Sequence, residues 1–226
     1  KFNQKPPPGG FFVSCSTPVH DYDYVQKSSK SKGSFGRKKS KDSTHMSDQV
    51  NRNVLTADGG TVSIISKEDN HNVAPEIHAH VGAELRSTEG KVILKSDTST
   101  EQHVKNKSSS NVAWQKTAGN GKVDETVEEP IMDTSNLVTE GALGTELSLK
   151  ARGNLEQTLA ALSADPNMAW AAELAKDPAV QIHLVKEYHK HWDYKQSGLT
   201  PGGAAIIALA VAIATAGAGS AISAGV

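Results

Sequence analysis

The sequence has few of the residues that stabilise small disulfide-bonded or zinc-bound domains. Cysteine occurs once, at Cys15, which excludes an internal disulfide framework, and no Cys/His spacing resembles a zinc site. Aromatic residues make up only 5% of the 226 residues, so few large side chains are available to fill a core. The net charge is -1, which gives no overall basicity of the kind that indicates nucleic-acid binding.

Motifs of the common catalytic and nucleotide-binding sites are also absent. The sequence contains no GxSxG, no P-loop, no GxGxxG after a predicted strand and no HExxH. His78 and His80 lie on one predicted strand face near Glu76 and Glu84. A metal site there would need a third protein ligand and orienting partners, so we favour ordinary surface histidines. We predict that the protein is not an enzyme and has no catalytic residue, cofactor or bound metal.

The charges that are present are unevenly distributed. All 24 Lys and Arg and all 25 Asp and Glu lie before residue 197, so residues 197–226 are uncharged. Such a segment must be buried in a core, in a partner or in a bilayer. Its apolar part, 204–214, would span only about 16 Å as a helix, about half of a hydrocarbon core. We predict a helical hairpin or conditional membrane inserter whose large apolar side chains contact lipid: Ile206, Ile207, Leu209, Val211 and Ile213.

The first fifty residues have the composition of a linker. They are rich in Lys, Ser, Gly, Pro and Asn, and 28–41 is a basic low-complexity run with little to bury. A short charge block of this kind is either a patch for an anionic partner or a solvated linker, and we favour the linker. The chain begins Lys-Phe-Asn with neither Met nor a signal peptide, which we interpret as a segment of a longer protein.

Residues 51–153 show the period of short β-strands. The stretch Leu55–Ile64 returns as Leu85–Leu94, about thirty positions later, and a looser echo covers Leu147–Leu155. Short strands, glycine corners and inexact repetition predict a β-solenoid of stacked coils, with a β-sandwich of irregular hairpins as the alternative. The polar stretch 96–132 is predicted to be an excursion from the solenoid or a degenerate coil.

One stretch within this region alternates clearly between apolar and polar residues. The period of two places five residues on one buried face: Ile77, Ala79, Val81, Ala83 and Leu85. The intervening residues, His78 and His80 among them, are predicted to face outward.

After residue 153 the apolar period changes to that of a helix. Leu155, Leu159 and Leu162 follow i, i+4, i+7 spacing. Asp165-Pro166 and Asp177-Pro178 each combine an N-cap acid with proline at the first helical position. The pattern predicts amphipathic helices, the last from Pro178 to about Gln196, that cap the open end of the solenoid.

Three features together resemble the filamentous haemagglutinin family: the glycine turns at 58–60 and 89–90, the strand 147–155 and above all the segment 192–211. More narrowly, the chain is similar to the pre-toxin region of two-partner-secreted exoproteins of contact-dependent growth inhibition. The resemblance covers about 28–226 and is specific at 192–215. It implies a right-handed parallel β-helix of haemagglutinin repeats, capped by amphipathic helices and followed by an apolar helix.

The resemblance divides the chain into four parts. These are a disordered or loosely ordered linker at 1–50, β-solenoid haemagglutinin repeats at 51–153, a helical cap at 154–197, and the apolar helical start of a haemagglutinin/pre-toxin module at 198–226. The family's secretion domain and toxin lie in parts that this sequence does not contain, so the family supplies no catalytic residue.

The resemblance also implies a location and a set of partners. We expect a protein that is secreted to the bacterial cell surface, with a structural and toxin-delivery role in contact-dependent inhibition or virulence. The alternative is an adhesin stalk without toxin delivery. The implied partners are the outer-membrane transporter of the parent exoprotein and a target-cell receptor or membrane. An immunity protein would bind only through the toxin domain, and no nucleic acid is expected.

Overall fold

The structure is a computed structural model that describes residues 15–34, 37–110 and 115–198. Within these ranges the chain is mainly β, with two short helices, which confirms the predicted β-rich class. The uncharged residues from 199 onwards lie outside the described ranges. The five residues predicted to contact lipid are therefore not described: Ile206, Ile207, Leu209, Val211 and Ile213.

The chain enters the fold through a short strand and a long hairpin. Strand β1 is Cys15–Ser16, and β2 (Val19–Lys32) pairs with β3 (Lys38–Asn51) antiparallel along its whole length. The linker predicted for 1–50 is therefore wrong in its described part. Strand pairing is made by backbone hydrogen bonds, so a run of Lys and Ser can form a strand wherever neighbouring strands provide a ladder.

The chain then runs three times through the same series of three short strands, and we call each run a pass. The first pass is β4 (Val54–Ala57), β5 (Thr61–Ser66) and β6 (Asn70–Val73); the second is β7 (Glu76–Ala79), β8 (Gly82–Ser87) and β9 (Val92–Lys95). A second long hairpin follows, β10 (Asp97–Ser110) with β11 (Gln115–Glu128), and it occupies most of the polar stretch 96–132. The third pass is β12 (Ile131–Thr134), β13 (Leu137–Gly141) and β14 (Thr145–Lys150).

Corresponding strands of the three passes pair in parallel and form three separate sheets. Leu55 lies opposite Ile77 and Ile64 lies opposite Leu85, so the second pass follows the first by 22 or 21 residues, and the third follows after the second long hairpin. The thirty-residue repeat predicted from the sequence is therefore not the structural repeat. Its two copies begin at different strands of a pass, because Leu55 belongs to β4, the first strand of its pass, whereas Leu85 belongs to β8, the second strand of the next.

Two helices and two strands complete the described chain: α1 (Leu155–Ala164), α2 (Ala169–Leu174), β15 (Val180–Val185) and β16 (His189–Gly198). Asn154 caps α1 by accepting a hydrogen bond from the Gln157 backbone N–H at 2.8 Å, and the Gln157 side chain accepts one from the Asn154 N–H at 3.1 Å. The first predicted helix is thus confirmed. A second helix also forms, but the predicted cap at Asp165-Pro166 is wrong: Asp165 is the C-cap of α1, and α2 begins at Ala169 after Met168.

The helix predicted from Pro178 to about Gln196 is wrong. Strand β15 adds to β14 in parallel, and β16 adds to β11 antiparallel. Val180, Ile182 and Leu184 alternate with a period of two, which is typical of a strand. The segment therefore fits a strand as well as it fits the amphipathic helix predicted from the sequence. The free edges of β14 and β11 decide between the two, because each offers a complete ladder of backbone partners.

The core lies between the three parallel sheets. It is formed by small and medium apolar side chains, chiefly Val62, Ile64, Ile77, Ala79, Ala83, Leu85, Val92, Leu94, Leu147 and Leu149. Leu162 of α1 and Ala171 of α2 join the same core. Val81 does not: its side chain is 53% exposed, because the chain turns between β7 and β8 and breaks the alternation predicted across 77–85.

The two hairpins and β16 form a second kind of structure, a five-stranded antiparallel sheet in the order β2-β3-β10-β11-β16. Where the hairpins return to the passes, ionic contacts join the two structures. Arg52, just after β3, donates to the Glu128 carboxylate at 2.7 Å. Glu129, just after β11, accepts two hydrogen bonds from the Arg152 guanidinium, at 2.6 and 3.1 Å.

Candidate binding surface on the antiparallel sheet

The antiparallel sheet brings together lysines that are far apart in the sequence. Residues directly opposite each other in an antiparallel pair lie on the same face, and so do residues two apart in a strand. Lys41 lies opposite Lys107, and Lys27 and Lys105 lie opposite the same residue, Ser43. This register defines a lysine face with contributions from all five strands: Lys27, Lys39, Lys41, Lys105, Lys107, Lys116 and Lys195.

The lysine face is exposed and almost uncompensated. All seven of these lysines are exposed, and none forms an ion pair with a carboxylate of the described residues. Lys122, on the same side of the sheet but nearer to the passes, is paired with Asp124. The other residues that lie opposite these lysines across the five strands, each such line being a row of the sheet, are Ser, Ala and Asn. Asp193 is the one carboxylate among them. Like charges directly opposite each other destabilise a sheet, as at Lys41 and Lys107. An anionic partner would remove that repulsion.

The opposite face of the same strands is aromatic at the β16 edge. Trp192 lies over Gly121 and Tyr194 lies over Gly119, so a Cβ at either glycine would collide with the ring. The Tyr194 hydroxyl also donates to Asn106 Oδ1 at 3.2 Å. These contacts hold β16 on the sheet, so its outward lysine, Lys195, has a defined place on the lysine face.

Two histidines lie on the lysine face, nearer to the passes. His45 and His103 are directly opposite each other in β3 and β10, with their Nδ1 atoms 3.1 Å apart. Glu101 Oε1 lies 2.9 Å from His103 Nε2. Within the described ranges these three side chains form a group whose ligand atoms all lie within 4.8 Å of one another. No local pattern in the sequence predicts this group, because 58 residues separate the two histidines.

The histidines singled out in the sequence behave differently. His78 Nε2 lies 2.8 Å from Glu76 and Nδ1 lies 3.3 Å from Asp133. His80 is exposed just after β7, and Glu84 pairs with Arg86 at 2.5 Å. The four residues considered together in the sequence are therefore not brought together around one point.

The surroundings of His78 favour the charged imidazolium. Hydrogen bonds to Glu76 and then to Asp133 raise the pKa of His78 above its ordinary value. In the protonated ring both nitrogens donate, one to each carboxylate, and that form has no lone pair to serve as a general base. The depression of about 380 Å³ beside it is lined by Thr56, Asp58, His80, Thr134 and Ser135 among others, and is open and polar.

His20 ties the edge strand β2 to its neighbours and makes stability depend on pH. Its Nδ1 lies 2.7 Å from Asp48 and its Nε2 lies 3.1 Å from Asp97. The hydrogen bond to Asp48 is the main cause that raises the pKa of His20, Asp97 adds to it, and desolvation opposes it. A raised folded-state pKa contributes stability that is present below about pH 6.5 and is lost as the pH rises through the folded pKa.

We therefore expect His20→Gln to lower the free energy of unfolding more at about pH 5.5 than at about pH 8.5. Urea unfolding of both proteins at the two pH values measures this difference. His71→Gln is the matched control, since His71 is exposed and lies 3.8 Å from one carboxylate, Asp69. An equal loss at both pH values would show that His20 acts without its charge.

Comparison of the chain with protein-family models, with curated proteins and with solved structures found no match. The resemblance to haemagglutinin exoproteins therefore stays a prediction. Of the helices in the described part of the chain, none is long and apolar enough to cross a membrane.

Proposed function

We propose that the three passes are successive coils of a right-handed parallel β-helix, and that the chain is a stalk segment of a secreted, haemagglutinin-type bacterial exoprotein. Parallel pairing of corresponding strands at a spacing of 21 or 22 residues supports the β-helix. Parallel crossovers within one sheet are right-handed in about 98% of cases, which supports the handedness. The buried Leu162 and Ala171 support α1 and α2 as its cap.

The function of this stalk, in our proposal, is adhesion: the lysine face binds anionic polymers on the surface of a target cell. The observation that carries it is the register that places Lys41, Lys107 and Lys105 side by side with few neighbouring carboxylates. Strands about 4.8 Å apart, with outward residues about 7 Å apart along each strand, give a lattice of charge on the scale of sulfate or phosphate spacing.

A binding experiment with a sulfated polysaccharide tests the adhesive function. We expect the triple variant Lys41→Gln, Lys105→Gln and Lys107→Gln to bind immobilised polymer at least tenfold more weakly than the unmodified chain. The slope of log affinity against log salt should fall by about 2 to 3, since each lost charge releases about one counterion fewer.

A matched triple variant keeps the net charge equal while sparing the lysine face. Lys67→Gln, Lys95→Gln and Lys176→Gln remove exposed lysines from the passes and from the segment after α2. If this control loses as much affinity as the first variant, binding follows overall charge and the lysine face has no special role. Tighter binding of duplex DNA than of the polysaccharide would also overturn the proposal, because no nucleic acid is expected as a partner.

Delivery of an attached toxin is the second proposal, and the uncharged segment 197–226 supports it. In that case the partners are the parent's outer-membrane transporter, a target membrane and, through the toxin alone, an immunity protein. The full chain should then partition into liposomes, and Ile206→Asp with Ile207→Asp should abolish the partition. If the unmodified chain stays in the aqueous phase, the membrane step of this proposal fails.

A further inference from the structure

The group of His45, His103 and Glu101 lies across the seam between the two long hairpins. Strands β3 and β10 come from different hairpins, and their antiparallel register places His45 directly opposite His103. Glu101 is two residues before His103 and therefore on the same face. The pairing of the hairpins thus creates a cluster that neither hairpin contains alone.

The distance between the imidazole nitrogens fits one metal ion. In a tetrahedral zinc site the bonds to imidazole are about 2.0–2.1 Å long, so two ligand nitrogens lie about 3.3 Å apart. The two Nδ1 atoms are 3.1 Å apart. The rings stack with centroids 4.2 Å apart and planes inclined by 25°. Rotation of the His45 ring about χ2, which is a soft torsion for histidine, turns its lone pair toward an ion held at His103 Nδ1.

Glu101 lies where a metal-binding histidine requires a partner. A histidine that binds metal through one ring nitrogen usually donates the other N–H to a carboxylate, which fixes the tautomer and the ring orientation. His103 Nε2 makes this contact with Glu101 Oε1 at 2.9 Å. His103 Nδ1, facing His45, is then the nitrogen left with a lone pair for an ion.

The charges around the pair favour a cation on the side toward the passes. Glu101 lies opposite Asp124, and Asp23 lies in the same row of the face two strands away. Lys122 lies opposite His103, but its ammonium group forms an ion pair with Asp124. The site has two imidazole ligands and, among the described residues, no third protein ligand, so water must complete the coordination of an ion at these half-buried rings.

We propose that His45 and His103 together bind one divalent transition-metal ion, and that Glu101 acts as the positioning residue for His103. Imidazole ligands select zinc, nickel, copper or cobalt over calcium and magnesium. The ion would join the β2–β3 hairpin to the β10–β11 hairpin and so stiffen the sheet. The proposal is independent of the adhesive function, since it requires none of the lysines.

Titration of the tag-free full chain with Zn²⁺ by calorimetry tests the site. We expect one site that is lost, with at least a tenfold fall in affinity, in His45→Asn and in His103→Asn. Glu101→Gln should weaken binding by about 10- to 100-fold. Zn²⁺ should raise the melting temperature of the unmodified chain but not that of either histidine variant. Ca²⁺ should have neither effect.

Two further measurements separate metal binding from a structural effect of the substitutions. His191→Asn is the matched control, because His191 lies in the same row of the face on the far side of Lys122 and should leave the site intact. The visible spectrum of bound Co²⁺ should be the same in Glu101→Gln as in the unmodified chain, because Glu101 is not a ligand. Unchanged Zn²⁺ affinity in the histidine variants, or a Co²⁺ spectrum without nitrogen ligation in the unmodified chain, would overturn the proposal.

Discussion

Replacing Leu85 with alanine should lower the free energy of unfolding by about 2–5 kcal/mol. The Leu85 side chain has no exposed surface, and it lies in β8 between Ile64 of β5 and Thr139 of β13. Removing it takes away buried apolar contacts and leaves a cavity, because strands paired on both sides cannot close in on the space. Chemical denaturation measures the change as a shift of the transition midpoint.

Val81→Ala is the matched control for this prediction. The alternating pattern in the sequence places Val81 and Leu85 on one buried face, but Val81 is 53% exposed at the turn between β7 and β8. Its truncation should change the free energy of unfolding by no more than about 0.5 kcal/mol. Similar losses in the free energy of unfolding for Leu85→Ala and Val81→Ala would contradict the position of the turn between β7 and β8.

The second large effect is expected at Glu129, which joins the antiparallel sheet to the parallel strands. Its carboxylate is 11% exposed and accepts a hydrogen bond from the Lys150 backbone N–H at 2.7 Å, besides both bonds from Arg152. Glu129→Gln keeps the shape but replaces one acceptor oxygen with a donor and leaves Arg152 without its counter-charge. Bonds to a charged group of this kind contribute about 1.5–3 kcal/mol each, so we expect a loss of about 2–3 kcal/mol.

An exposed ion pair provides the comparison for Glu129. Glu89 lies 3.5 Å from Lys67, and both side chains are mostly exposed. Glu89→Gln should therefore cost less than about 1 kcal/mol, since water already solvates both charges. Urea unfolding in low and in high salt measures both variants. A Glu129 variant as mild as the Glu89 variant would show that the junction contributes little to the stability of the fold.

The elements that could be predicted from the sequence are those with their own local signal. Alternating apolar residues predicted strands within 51–153, and the spacing of Leu155, Leu159 and Leu162 predicted α1. The strands of the antiparallel sheet have no such signal, because they are polar on the lysine face and carry few large apolar residues on the other. Strand β15 had an ambiguous signal: Val180, Ile182 and Leu184 alternate as in a strand, but Leu184 and Val185 also fall on a helical stripe with Tyr188 and Trp192.

The candidate sites also divide into those with a local signal in the sequence and those without one. His78 attracted attention because two histidines and two glutamates stand close in the sequence, yet the fold gives it two carboxylate neighbours, which raise its pKa. The lysine face and the His45–His103 pair arise from residues that are tens of positions apart. Their neighbours depend on the register of β3 against β10 and of β11 against β16, and no local pattern specifies that register.

By itself, then, the sequence determined the β-rich class, the first helix and the uncharged segment from residue 197, because hydrophobic period and charge are properties of neighbouring residues. Only the tertiary structure decided that the basic run at 28–41 contributes the end of β2 and the start of β3 rather than a linker, and that Lys39 and Lys41 share a face with lysines of four other strands. The physical reason is that backbone pairing orders a polar strand only when a neighbouring strand supplies the other half of each hydrogen bond.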